Sequence, residues 1–249
     1  MIKSMESYLT QHYWLVAEAP RLAGQFLKTG LELSKFNNLP LGSNRPTVVV
    51  PGFATSNVST LFMRGVLDRN DHNTFKWIIQ RNIGFSEYVI ENTVNQVRHV
   101  ANVYGMPVNL VGQSLGGCYV RAVANQIPDY VNAVITLGSP INSITQVNEN
   151  AIKKYNTLTG VIDAAFVQHT YYYHTFYPNP PVPTTSIYSR SDGVVHFSQS
   201  LINVTDLSEN IEVDASHFSM GFDLDTLIVI ADRLSRDKEN WEKWPKTTT

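Results

Sequence analysis

A serine set among glycines, Gly112-Gln113-Ser114-Leu115-Gly116-Gly117, follows the predicted buried strand Val108 to Val111 and precedes a segment of helical pattern, Leu115 to Gln126. On a tight turn from a buried strand into a helix, the serine hydroxyl stands exposed above a sheet. Glycines on either side let the chain reverse and let strand and helix approach closely. The chemistry open to such a serine is nucleophilic attack on a carbonyl. A hydroxyl is a poor nucleophile until a base takes its proton, and that base needs a third group to fix its tautomer.

The partners are expected downstream, an acid and then a histidine, each beyond the C-terminal end of a strand. Asp192 lies four residues past Tyr188 in Ser189-Arg190-Ser191-Asp192-Gly193, and His217 lies four past Val213 in Asp214-Ala215-Ser216-His217. His196 competes as the base and Asp214 as the acid. His196 sits close to Asp192 on one loop, which makes bridging acid and nucleophile difficult, and Asp214 beside His217 reads as a turn-stabilising side chain. The oxyanion formed by attack needs fixed donors. The backbone N–H of Leu115 is one candidate, and that of Phe53, after Pro51-Gly52, is the other, against an ordinary β-to-α turn there.

Other reactive side chains fit blander roles. Cys118 falls inside a buried helix pattern and reads as a small core residue. His12, His72, His99 and His169 read as solvated or structural. No His-x-x-x-His and no acidic cluster at ligand spacing occurs, so no metal is expected. The Gly112 to Gly117 stretch lacks the Lys-Ser/Thr of a phosphate loop that would meet a nucleotide and its magnesium.

These residues must be held by a regular scaffold. Strands are predicted at Thr47 to Val50, Phe75 to Ile79, Val108 to Val111, Val131 to Leu137, Thr185 to Tyr188 and Ile211 to Val213. Helices are predicted between most of them: one that Ser56 and Asn57 can cap, one from Ser86-Glu87 to Gly105, Leu115 to Gln126, and Leu224 to Leu234. Alternation of this kind implies an α/β fold with a mostly parallel sheet of about six strands, covered on both faces. Tyr8 to Phe36 carries helical spacing interrupted by Pro20, read as two short helices packed on the body. From Ile141 to Pro183 the rhythm breaks into an aromatic insert with Tyr172, His174 and Phe176. These residues either line an apolar cleft as substrate contacts or pack on themselves.

Composition narrows the partners. Nineteen Lys and Arg against twenty-one Asp and Glu give a formal charge of −2, so no basic field exists for nucleic acid. The chain of 249 residues suits a single α/β domain. One cysteine excludes an internal disulfide and fits a reducing compartment. Neither a secretory leader nor a membrane-spanning run is read in it, and the expectation is a cytoplasmic protein.

Taken together, Val50-Pro51-Gly52-Phe53, Val111 to Gly117, Ile135-Thr136-Leu137-Gly138-Ser139-Pro140, Ile187 to Val195 and Ser216-His217 resemble the α/β-hydrolase superfamily, and within it the compact bacterial lipases and esterases. The resemblance implies Ser114 as nucleophile, Asp192 as acid, His217 as base, and ester or acyl hydrolysis without metal or organic cofactor; the aromatic insert points to a small acyl or aryl ester with an apolar part. It also implies a small version of the fold, with N-terminal helices (1–46) in place of leading strands and a cap at 141–183. The Pro51-Gly52 turn departs from the His-Gly of many lipases. Two alternatives remain, an acyltransferase using the same triad and a non-catalytic binding module, and fold alone leaves the scissile bond open to a peptidase.

Overall fold

The β-branched runs form buried strands because both faces of the sheet are covered. The computed structural model describes residues 2–142 and 174–245, with side chains from Tyr13 onward. Its sheet has six strands, β1 (Pro46–Val50), β2 (Asn73–Lys76), β3 (Val108–Gln113), β4 (Val131–Leu137), β5 (Thr184–Tyr188) and β6 (Ser208–Glu212), in the order β2-β1-β3-β4-β5-β6. Every pairing is parallel. Successive residues of β1 enter opposite layers. Val48 and Val50 pack towards helices α3 (Glu87–Tyr104) and α4 (Leu115–Gln126). Val49 packs towards α2 (Leu61–Arg69) and the last helix, Leu224–Leu234. This period-two split is what a strand buried on both sides requires.

Local signals set several boundaries. The Ser86 hydroxyl accepts the N–H of Val89 at the start of α3, and Gly105 ends that helix at φ 65°. Pro20 does not break the N-terminal segment: α1 runs continuously from Ile2 to Leu31 with Pro20 inside it, and a 3-10 turn, Leu33–Asn38, follows. Proline removes one helical hydrogen bond. Here Pro20 and Val16, four residues earlier, are exposed, so water can satisfy the freed carbonyl.

Strand β2 stops at Lys76, short of the expected Ile79, because a side chain takes over the pairing. Asn57 donates from Nδ2 to the Trp77 carbonyl and accepts the Trp77 N–H at Oδ1, both at 2.9 Å. Asn57 is therefore not a helix cap. Thr60 occupies the N-cap position of α2, and its side chain makes no capping bond. Strand β6 begins three residues before the predicted Ile211. Its polar start is stabilised by Glu209 Oε1, which accepts from Thr185 Oγ1 at 2.9 Å and Arg233 Nη1 at 3.0 Å. After β5 come a short helix α5 (Phe197–Ser200) and, after β6, α6 (Leu224–Leu234).

Most of the insert expected at 141–183, including Tyr172, lies outside the described residues. Its returning end is anchored by the buried Arg121 of α4, whose Nε donates to the Phe176 carbonyl at 2.7 Å and whose Nη2 donates to the carbonyls of Tyr177 and Pro178. Among the described residues, no helix is long and apolar enough to cross a membrane.

Candidate active site

The order of strands reverses at β1, whose neighbours β2 and β3 lie on opposite sides; Gly52, Phe53 and Ser114 follow β1 and β3 at that point, and Asp192 and His217 follow β5 and β6 towards the far edge of the sheet. Such a switch point opens a crevice in an open α/β sheet. Ser114 follows β3 directly and has φ 52° and ψ −124°, a conformation L-residues rarely adopt. Its N–H donates to the Leu137 carbonyl at 2.7 Å. The flanking glycines are steric necessities. A Cβ on Gly112 would lie 2.5 Å from the Gly116 backbone, and one on Gly116 would lie 2.5 Å from the Val50 carbonyl oxygen. The turn after β1 rests on the serine: a Cβ on Gly52 would meet Ser114 Cβ at 3.2 Å. Leu115 opens α4, so its N–H lies in the first helical turn, which has no intrahelical acceptor.

The acid and base candidates meet. Asp192 Oδ2 lies 2.8 Å from His217 Nδ1, with both side chains buried. Asp192 Oδ1 accepts the N–H groups of Val194 and Val195, each at 2.8 Å. A carboxylate at Nδ1 requires the ring proton there, which leaves Nε2 as the basic nitrogen of the neutral ring. Burial pulls the His217 pKa down, but the charge and hydrogen bond of Asp192, with a contribution from the Glu18 charge, outweigh it and leave the pKa above 6.5. Gly138, at φ 51°, makes room for this pair: a Cβ there would lie 2.7 Å from Asp192 Oδ2.

Ser114, His217, Gly52 and Phe53 line one cleft of about 410 Å³, with Leu22 and Phe26 of α1 and Phe62 and Phe222 among its apolar walls. No hydrogen bond joins Ser114 Oγ to His217 among the described residues. The base loop is tied to the serine turn instead through Gln113, whose Nε2 donates to the His217 carbonyl at 3.4 Å.

The rivals lie elsewhere. The Asp214 side chain is 96% exposed and pairs with Arg21 at 3.3 Å. His196 caps α5, its Nδ1 lying 2.8 Å from Ser198 Oγ; burial lowers its pKa against the pull of Asp192. Phe176, read from sequence as a substrate contact, is instead a core residue: it is wholly buried, and its ring packs 5.6 Å from that of Phe85. The inward pull of Arg121 on its carbonyl accounts for this placement. His174 is exposed and is not among the residues lining the cleft. Cys118 is fully buried, and burial pushes its thiol pKa far up, which makes it inert. No cluster of three or more His, Cys, Asp or Glu residues suited to a metal exists among the described residues.

Two site residues escaped the sequence reading. Asn82, wholly buried, donates to the Pro51 carbonyl and accepts from Tyr119 Oη, both at 2.9 Å, and so braces the turn carrying Phe53. Glu18, also buried, accepts the N–H of Gly193 at 2.9 Å and of His217 at 3.0 Å. Asn82 lies in a loop without regular spacing. Glu18 lies in a helix where one acid among apolar residues carries no signal of its partners.

An all-parallel sheet with a strained serine between strand and helix, facing a buried Asp–His pair, defines a serine ester hydrolase of the α/β-hydrolase fold. More narrowly, the chain belongs to the palmitoyl protein thioesterase family, whose sequence model matches residues 46–192, more than half of its length. That match includes Ser114 and Asp192 and leaves out Glu18 and His217. No curated protein matches the chain in sequence. Its structure is similar to that of mature lipase BlEst2 of Bacillus licheniformis, at 15% identity over 80% of this chain and 95% of the other, with a TM-score of 0.61. Lipase B of Aspergillus fumigatus gives 16% identity over 81% of this chain and 55% of the other, with a TM-score of 0.61. The monoacylglycerol lipase of Paleococcus ferrophilus gives 16% identity over 79% and 96%, with a TM-score of 0.57. At these identities the likeness carries the fold alone.

Proposed function

We propose that the chain hydrolyses carboxylic esters with an apolar acyl part through an acyl-enzyme on Ser114. In this reading His217 Nε2 takes the Ser114 proton as Oγ attacks the carbonyl carbon, and Asp192 holds the imidazole and stabilises the imidazolium. The N–H groups of Phe53 and Leu115 receive the oxyanion. Collapse of the intermediate breaks the bond to the leaving group, which takes the proton from His217. Water, activated by the same histidine, then releases the acid. The observation that carries the reading is the shared cleft: the strained Ser114 and a His217 bonded to buried Asp192 line one apolar cavity.

A thioester substrate is the second reading, favoured by the family match. A thiolate leaves with less need of protonation than an alkoxide, so the same groups suffice. A panel of p-nitrophenyl esters, acyl thioesters and acyl amides of graded chain length, with Ser114→Ala as control, tests both. Ser114-dependent turnover that rises from acetyl to longer chains supports the apolar-acyl reading, and turnover confined to amides overturns it. Products analysed with an added alcohol acceptor distinguish hydrolysis from acyl transfer.

A further inference from the structure

Two chain loops must stay in register for any chemistry at this site: the one after β5 that bears Asp192 and the one after β6 that bears His217. Directly they are joined by the Asp192–His217 bond and, nearer the strand ends, by Ser191 Oγ, which donates to Asp214 Oδ1 at 3.4 Å, and each loop is otherwise short and irregular. A carboxylate from a distant element bridges them. Glu18, on α1, is only 3% exposed. Its Oε1 accepts the N–H of Gly193, next to the acid, at 2.9 Å and the N–H of the base His217 itself at 3.0 Å. Its Oε2 lies 3.4 Å from the Phe218 nitrogen.

The surroundings are shaped to bring Glu18 there. A Cβ on Gly193 would fall 2.4 Å from the Trp14 backbone, so that glycine is what lets α1 lie against the acid loop. One turn further on, Arg21 donates to Ser191 Oγ at 2.6 Å. A buried carboxylate is costly unless hydrogen-bonded, and these backbone donors satisfy it.

We propose that Glu18 is a positioning residue, which holds the Asp192 and His217 loops together through backbone hydrogen bonds and adds a second negative charge behind the imidazolium. The inference rests on the Ser114–His217–Asp192 reading above. It assigns a role in the reaction to the N-terminal helix, which lies outside the stretch matched by the family. Among the described residues, the charged groups acting on His217 are Asp192 from the β5 loop and Glu18 from α1, with Arg21 of α1 engaged by Ser191 and Asp214.

Two variants separate geometry from charge. Glu18→Gln keeps an acceptor oxygen for the two N–H groups but removes the charge. Its plateau kcat stays within about threefold of wild type, while the acid limb of kcat/KM moves to lower pH, because the imidazolium has lost a favourable neighbour. Glu18→Ala removes the bridge, and its plateau kcat falls about ten- to a hundredfold with KM little changed, as loosened positioning predicts. Thermal melting accompanies both; should Glu18→Ala not fold, the acid limb of Glu18→Gln decides. Wild-type kcat in the alanine variant overturns the inference, as does an unmoved acid limb in Glu18→Gln. If the wild-type protein shows no Ser114-dependent turnover, the proposed function itself fails; Ser114-dependent turnover with unaltered Glu18 variants overturns the inference alone.

Discussion

Gly138→Ala places one methyl group where the Asp192–His217 pair allows none. The added Cβ would stand 2.7 Å from Asp192 Oδ2 and 3.2 Å from both His217 Nδ1 and Met220 Sδ. Asp192 must retreat by about 0.7 Å to reach ordinary contact, which stretches its 2.8 Å bond to His217 to the edge of a hydrogen bond. Asp192 is tethered by two backbone N–H groups on Oδ1, so it cannot follow without disturbing its loop. Residue 138 also keeps φ 51°, which costs an alanine about 1–2 kcal/mol and lowers Tm by roughly 2–8 °C. The expected result is a folded protein whose kcat falls about ten- to a hundredfold, since misplacement on the ångström scale is that costly, with KM little altered. Steady-state kinetics on a p-nitrophenyl ester and a thermal melt measure both. A variant with the predicted loss of Tm but wild-type kcat would show that the pair does not govern turnover.

The pH profile carries its own sign. Because Asp192 and Glu18 outweigh burial and raise the His217 pKa, kcat/KM should fall as pH drops through a value above 6.5, where the ring takes the proton it must otherwise accept from Ser114. Asp192→Asn should lower kcat by about 10³–10⁴-fold by favouring the wrong tautomer, and an acid limb at or below 6.5 in the wild type contradicts the assignment. Ser114→Gly relieves the strained backbone at φ 52°, so it should melt higher than Ser114→Ala by an amount matching about 1–2 kcal/mol; equal melting temperatures argue against stored strain. Leu22→Trp narrows the cleft from the α1 side. It should raise KM for long acyl esters while leaving acetyl esters nearly unchanged, and a uniform effect on all chain lengths would remove α1 from the substrate wall.

The elements with a strong local period were legible in the sequence: the β-branched runs of β1 and β4, the stripe of α3 with Ser86 and Gly105 at its ends, and the glycines around Ser114, whose close approaches leave no room for a Cβ. Asp192 and His217 were legible by their distance past strand ends. What stayed hidden depends on partners far away in the chain. Strand β6 starts in polar residues that only Thr185 and Arg233 make tolerable, and β2 ends where the Asn57 side chain replaces a strand. Continuity of α1 across Pro20 follows from exposure, which spacing does not reveal. The same limit hid Glu18 and Asn82, and it led Phe176, an aromatic residue in an insert, to be read as a substrate contact when the buried Arg121 makes it core.

The mechanism stands on Ser114 as the nucleophile and on its activation by His217. Reaction with a fluorophosphonate, followed by peptide mass mapping, tests both parts in one measurement. A single adduct on Ser114 is expected in the wild type, none in Ser114→Ala, and markedly slower labelling in His217→Ala. An adduct on another residue, or labelling of His217→Ala at the wild-type rate, would contradict this mechanism.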